Sequence, residues 1–478
     1  MAKALAFLLL LRAAAFTQAA FFYPDAVSSE IEHILVDTHG AYASGFADAI
    51  TPCSNYVSGA QTFGRETAAQ WLRVAFHDFV TARVDEGTGG IDASIGFETL
   101  REEDSGSAFN DSFAFFRPYV NARVSMADIV ALSVSMSVGN CGGPQIPVRG
   151  GRIDATGMGE EGVPAPETSL EKTLEFFANA GFNKVDSIGL TACGHTMGSV
   201  HHGGFPTVVG PEAVTPNNTA GGIHFDDTVD VFDMKVVHDY IDGTGNQGGP
   251  LVTSFNESSR SDLRLYESDG NATMRQLYEQ EEDFLNTCVL LMQRMVETVP
   301  KEVVLSDIIS PMAIKPVNAT FDFSSDGSLV FKGYIRVCRK SMGFIPKIQI
   351  LTHLGSRTSW VNTTKNHHAE PKLSPHNHSL SRICHRNECF WHNCVLSFLY
   401  RHQQSLQSKV IHYNLLLHNS HIHHPLPFHI CGSNPFLFFL IFINKSQRHN
   451  CSTGNLQRTK SLNQSTDSTT RNARAGDR

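Results

Sequence analysis

Arg73 and His77 lie four residues apart in Leu72-Arg73-Val74-Ala75-Phe76-His77-Asp78. On a helix that spacing puts a guanidinium and an imidazole on one face. The imidazole can take a proton from one oxygen of a bound molecule and hand it to the other. General acid–base catalysis of this kind contributes about 10²–10⁴-fold. The guanidinium, always charged, stabilises negative charge growing on a departing oxygen. Such a pair suits cleavage of an O–O bond. Taken alone, Arg-x-x-x-His-Asp is also an ordinary helix surface, so the neighbouring segments decide.

Gly89-Gly90-Ile91-Asp92-Ala93-Ser94 offers a carbonyl and two side-chain oxygens in a tight turn. With Asp78 these are hard-oxygen ligands of the kind Ca²⁺ takes, although a plain Gly-Asp-Ser turn has the same composition. A second imidazole, His195, sits in Leu190-Thr191-Ala192-Cys193-Gly194-His195-Thr196-Met197-Gly198, among residues small enough for close approach to a flat ring. Phe225-Asp226-Asp227-Thr228-Val229-Asp230-Val231-Phe232-Asp233 is an acidic loop. Its oxygens at Asp226, Thr228 and Asp233 can join Thr196 around a cation, with Val231 giving a carbonyl; it reads equally as a surface turn.

The elements that must hold these groups are mainly helical. Glu66 to Phe79 carries apolar residues near the 3.6 period, and Met126 to Val138, Glu171 to Ala180 and Asp283 to Val299 look similar. After Pro300 the pattern changes. Ala319 to Phe323 and Ser328 to Val337 read as strands around the Ser325-Asp326-Gly327 turn.

Four of these segments, with Leu263 to Asp269, stand in an order that resembles the plant, fungal and bacterial haem peroxidase superfamily, nearest to its secreted fungal members. The likeness spans roughly residues 45–300, with Val124 to Leu132 and Gly150 to Asp154 as further landmarks. It implies a mainly α fold in two helical parts with haem b between them. It also implies two Ca²⁺ ions. By that resemblance Arg73 and His77 work on peroxide, Phe76 packs beside them, and Asp78, Gly90, Asp92 and Ser94 bind the distal calcium. The family's distal amide, which holds the His tautomer, is expected at Asn110, a residue that also forms a sequon with Ser112. His195 is the expected iron ligand, with Asp269 as its carboxylate partner and Phe225 against its ring. Thr196, Asp226, Thr228, Val231 and Asp233 are the expected proximal calcium set.

The resemblance implies H₂O₂ reduction through an oxoferryl intermediate and one-electron oxidation of small phenolic or other organic donors. Positions that would hold manganese carboxylates carry Glu66, Gln70 and His201, and the place of a surface Trp five residues before His195 is Leu190. A standard Mn²⁺ site and that electron route are therefore not expected. The cysteines depart from the familiar sets; Cys53 with Cys141 is the first expected disulfide and Cys193 with Cys288 the second. A competing reading is a catalytically inactive secreted binding protein on this scaffold, its β appendage contacting a cell wall or polysaccharide. Another is a non-haem calcium or zinc protein.

The 478 residues carry a net charge of −9 that hides a split. Residues 351–478 hold 14 Lys/Arg against 4 Asp/Glu and 15 of the 23 histidines, leaving the rest strongly acidic. We expect a signal peptide at 1–20, a catalytic domain at 21–300, a small β-rich appendage at 301–345 and a disordered or non-native tail at 346–478. The first 20 residues have a basic Lys3, an apolar run and small residues at Ala19 and Ala20. Secretion suits the ten cysteines and the sequons at Asn217, Asn256, Asn271 and Asn318. It argues against nucleic acid as a partner. Phe436 to Ile443 is too short to span a membrane. The tail's Cys384, His385, Cys389, His392 and Cys394 fit no tight zinc spacing. A monomer is expected.

Overall fold

The computed structural model describes residues 24–40, 42–58, 65–104, 106–312, 314–323, 325 and 329–339, and beyond these only short strands. The expected signal segment and the tail's Cys384, His385, Cys389, His392 and Cys394 lie outside the described residues. The chain divides into two compact units, Met1–Gly343 with Leu373–Gly432, and Phe344–Lys372 with Ser433–Arg478.

The first unit holds the site. Its α-helices are α1 (Ala26–Val36), α2 (Thr67–Val80), α3 (Ala108–Phe116), α4 (Met126–Asn140), α5 (Leu170–Asn179), α6 (Lys184–Gly194), α7 (Lys235–Asp242), α8 (Pro250–Thr253), α9 (Ser261–Tyr266), α10 (Ala272–Glu279) and α11 (Glu281–Glu297). A two-stranded ribbon, β1 (Ser199–His201) and β2 (Gly222–His224), follows α6. The long hairpin of β3 (Ile314–Phe323) and β4 (Leu329–Arg339) follows α11. After residue 343 the same unit contains an antiparallel sheet of Val395–Tyr400, Val410–His418 and Leu426–Cys431. In the second unit Gln349–Leu354 pairs with Leu437–Phe442.

Local chemistry starts the helices. The Asp25 carboxylate accepts from Val27 and Ser28 N–H at the head of α1. Ser125 caps α4, and Asn183 forms a reciprocal box with Asp186 at the head of α6. The helix expected from Met126 is present, but it is buried on every side rather than along one stripe. Its serines stay satisfied inward: Ser133 Oγ donates to Val130 O and Ser135 Oγ to Ile146 O. The landmark segments find each other. Asp128 accepts from the Gly151 and Arg152 N–H groups and from the Arg152 guanidinium, while Asp154 accepts from Met126 and Ala127 N–H.

α2 packs against α4 and touches α6, and α6 lies along α11. Both expected disulfides form, Cys53–Cys141 and Cys193–Cys288. The second ties α6 to α11. The hairpin belongs to the same compact unit as the helices. Its Lys315 and Arg336 are buried against Glu32 and Asp37 of the α1 segment.

Candidate active site

α2 delivers Arg73 and His77. Ala68, Trp71, Leu72, Val74, Ala75 and Phe79 are buried along it and fix its rotation. Phe109 of α3 touches both functional groups: its ring centroid lies 4.9 Å from that of His77 and 4.7 Å from the Arg73 guanidinium carbon. Phe205 approaches the same guanidinium at 5.5 Å. Phe76 packs instead towards Phe79 and Phe177, its ring 6.2 Å from that of His77. Phe109 is the aromatic that sequence reasoning missed; its signal was the apolar first turn of α3.

His77 Nδ1 lies 2.8 Å from Asp104 Oδ1. Asn110, expected in that role, is exposed on the first turn of α3. The acceptor is a carboxylate from the 3₁₀ turn Glu102–Asp104. Asp104 is completely buried. Burial, and then the Arg73 charge, hold the His77 imidazole well below its usual range. Burial also brings Arg73 down to about 10.

The turn after α2 wraps round Asp78. The Asp78 carboxylate accepts from the N–H groups of Asp92, Ala93 and Ile95, and Asp92 accepts from Ser94 N–H. Gly90 has φ +93°, and a Cβ there would meet Thr298 O at 2.5 Å, so this corner requires glycine. Burial and the neighbouring Asp92 push the Asp78 carboxyl well up. Ser94 Oγ is buried beside the Asp92 and Glu98 carboxylates. Excess negative charge around a buried hydroxyl is the donor chemistry a hard cation would satisfy.

His195 caps the end of α6. Its Nδ1 lies 2.6 Å from Asp262 Oδ2, and the Phe225 ring stacks on it at 4.3 Å with planes 7° apart. Asp269 does not make this contact. It accepts from Ala272 and Thr273 N–H and from Thr273 Oγ, capping α10. Gly270-Asn271 directly after Asp269 reads as a turn, whereas Asp262 sits in the first turn of α9, which packs against α6. An imidazole whose Nδ1–H is fixed on a buried carboxylate presents a basic Nε2, the form that ligates metal. The residues present therefore fit a haem iron.

Thr196 Oγ donates to Asp233 O at 2.5 Å, Thr228 Oγ to Asp233 Oδ1 at 3.0 Å, and Asp226 accepts from Thr228 N–H. Val231 is 40 % exposed, so only its carbonyl can enter this cluster. Burial, then Asp233, raises the Asp226 carboxyl to about 7, and Asp226 Oδ2 is buried without a partner among the described residues. Among the described residues, no group of three or more His, Cys, Asp and Glu side chains converges on a metal position. Nor, among them, is any helix long and apolar enough to cross a membrane.

Comparison with known proteins agrees with this geometry. The model of the peroxidase family matches residues 54–280. A WSC domain-containing protein of Arthroderma benhamiae is 40% identical over 313 residues, covering 64% of this chain and 42% of that protein. Two Arabidopsis thaliana proteins match shorter stretches. L-ascorbate peroxidase 5, peroxisomal, is 31% identical over 139 residues, 29% of this chain and 50% of its own. Peroxidase 16 is 33% identical over 162 residues, 30% and 47%. The chain thus spans half or less of the length of these relatives. Residues 54–280 of the chain are therefore similar to the peroxidase family.

Proposed function

We propose that the protein is a secreted haem peroxidase that reduces H₂O₂ and oxidises small phenolic or other organic donors in one-electron steps. The observation that carries this reading is the pair of carboxylate-held histidines, His77 on Asp104 and His195 on Asp262, on helices that touch. When bound, the haem supplies the electron transfer. His195 would hold its iron through Nε2, and Asp262 would make that nitrogen a stronger donor. His77 moves the peroxide proton from one oxygen to the other, and Arg73 stabilises the charge on the departing oxygen. Asp78, Asp92 and Ser94 with the Gly90 carbonyl, and Thr196, Asp226, Thr228 and Asp233 with the Val231 carbonyl, are proposed as two Ca²⁺ sites. The buried Ser94 Oγ among carboxylates and the buried Asp226 Oδ2, without a partner among the described residues, support them. The two disulfides support an oxidising compartment.

The test is the absorption spectrum of the purified protein supplied with haem, before and after one equivalent of H₂O₂. A ferric Soret band that converts on adding peroxide is expected. A folded protein that takes up no haem would overturn the reading and leave a secreted binding protein in its place.

A further inference from the structure

We propose that Phe205 determines which hydroperoxides react: its ring covers the Arg73 guanidinium and limits the size of the group that the departing oxygen can carry. The effect on turnover rests on the peroxidase reading; the effect on the size of the pocket at Arg73 does not.

Two rings lie on the guanidinium. Its carbon is 4.7 Å from the centroid of Phe109 and 5.5 Å from that of Phe205, close enough for each ring face to attract the cation. Phe109 is wholly buried, whereas Phe205 is only partly buried, so Phe205 is the ring on the solvent side. It is firmly held. Its N–H donates to His201 O at 2.9 Å, and its carbonyl accepts from the Val208 and Val209 N–H groups, each at 3.0 Å. Pro206 stands second in that turn, where its fixed φ is favoured. The loop is pinned further along. His202 Nδ1 lies 2.7 Å from Val209 O, Thr207 Oγ donates to Glu167 Oε1 at 2.7 Å, and Ser254 Oγ donates to Val208 O at 3.0 Å. Val208 and Val209 are themselves buried. A ring on a turn fixed at so many points keeps its place over the cation.

The chemistry makes that place selective. When the O–O bond breaks, the departing oxygen keeps the bonding pair, gains the proton that His77 carries and leaves as water or an alcohol, with two electrons coming from the haem. Arg73 stabilises the charge on this departing oxygen. In H₂O₂ that oxygen carries only hydrogen. In an organic hydroperoxide it carries the organic group, which must then find room beside the guanidinium. Phe109 and Phe205 already occupy that room. Phe109 also packs on His77, 4.9 Å between ring centroids, so it supports the base as much as the cation. Phe205 comes from the loop after β1 and closes the outer side, so its bulk sets the space left at the departing oxygen.

The experiment compares the haem-loaded parent with Phe205→Ala, Phe205→Trp and the exposed control Leu290→Ala. Two ratios are read. One is the second-order rate with cumene hydroperoxide over that with H₂O₂. The other is the affinity of the ferric protein for 4-phenylimidazole over that for cyanide, which needs no turnover. Phe205→Ala should raise the rate ratio about 10–200-fold, the range that apolar pocket contacts command, and should raise the affinity ratio with it. Phe205→Trp fills more space and should lower both ratios; it decides the matter if Phe205→Ala does not take up haem. Leu290→Ala should match the parent. The proposal is overturned if both ratios stay at the parent's values in the Phe205 variants. It is equally overturned if Leu290→Ala shifts them as far as Phe205→Ala does. A parent that binds haem yet reacts with neither peroxide would end the peroxidase reading, and the affinity ratio would still show whether Phe205 sets the size of the pocket.

Discussion

His77 Nδ1 lies 2.8 Å from Asp104 Oδ1 and His195 Nδ1 2.6 Å from Asp262 Oδ2, and both carboxylates are buried. Asp262, not Asp269, holds His195, and Asp104, not Asn110, holds His77. Asp262→Asn should therefore weaken haem retention or peroxide turnover about 10–100-fold. Asp269→Ala should leave both intact and cost only about 0.5–2 kcal/mol through the lost acceptor at the head of α10. Haem titration and thermal melts of both variants check this, and the reverse pattern would contradict it. The motif residues themselves were legible because Arg73, His77 and His195 belong to short contiguous patterns. Their partners were not, because each reaches across from another segment and only its burial marks it. Glu66 offers a second test at this scale. Burial, then Asp230 and Asp226, raises its carboxyl from 4.5 to about 9. A carboxyl whose folded pKa is raised favours the fold when protonated. Its contribution is whole below about pH 4.5 and is lost as pH rises towards 9. Glu66→Gln should flatten the fall in stability between pH 5 and pH 8. Denaturant titrations at the two pH values would refute this if the fall were unchanged.

At the scale of elements, the helices expected at Glu66 to Phe79, Met126 to Val138, Glu171 to Ala180 and Asp283 to Val299 all occur, with ends shifted by a few residues. Their apolar spacing and caps are local signals. The attachment of the hairpin is not. Lys315 and Arg336 are both buried on Glu32, and Arg336 also pairs with Asp37 at 3.1 Å. Two positive and two negative groups cancel there, so the appendage is joined to α1 by a desolvated ion cluster. Breaking one member of such a cluster leaves uncompensated buried charge. Glu32→Leu should cost about 3–5 kcal/mol in chemical denaturation. Replacing Glu32 and Lys315 together with apolar residues should cost less than the single change, because fewer buried charges lose their partner. A Glu32→Leu protein as stable as the parent would show that the cluster contributes little.

For the molecule as a whole, the charge split between an acidic body and a basic tail follows from composition, and the peroxidase region falls within the acidic body. The mainly helical class was legible for the same reason that the helices were. The cation loops were legible only through resemblance, since an acidic turn and a calcium turn share their residue types. If both loops bind Ca²⁺, chelation should lower the melting temperature and re-addition should restore it. At a hundred-fold excess over Kd a bound ion adds about 2.7 kcal/mol per site. Melting curves that are the same in chelator and in millimolar calcium would remove both ions from the account.

The most direct measurement is stopped-flow reaction of the haem-loaded protein with H₂O₂, the parent beside His77→Ala. The account predicts a fast parent reaction and a loss of about 10²–10⁴-fold on removing His77, with haem binding retained through His195. A parent and variant that react at the same rate, each with haem bound, would contradict the assignment of His77 as the group that moves the peroxide proton.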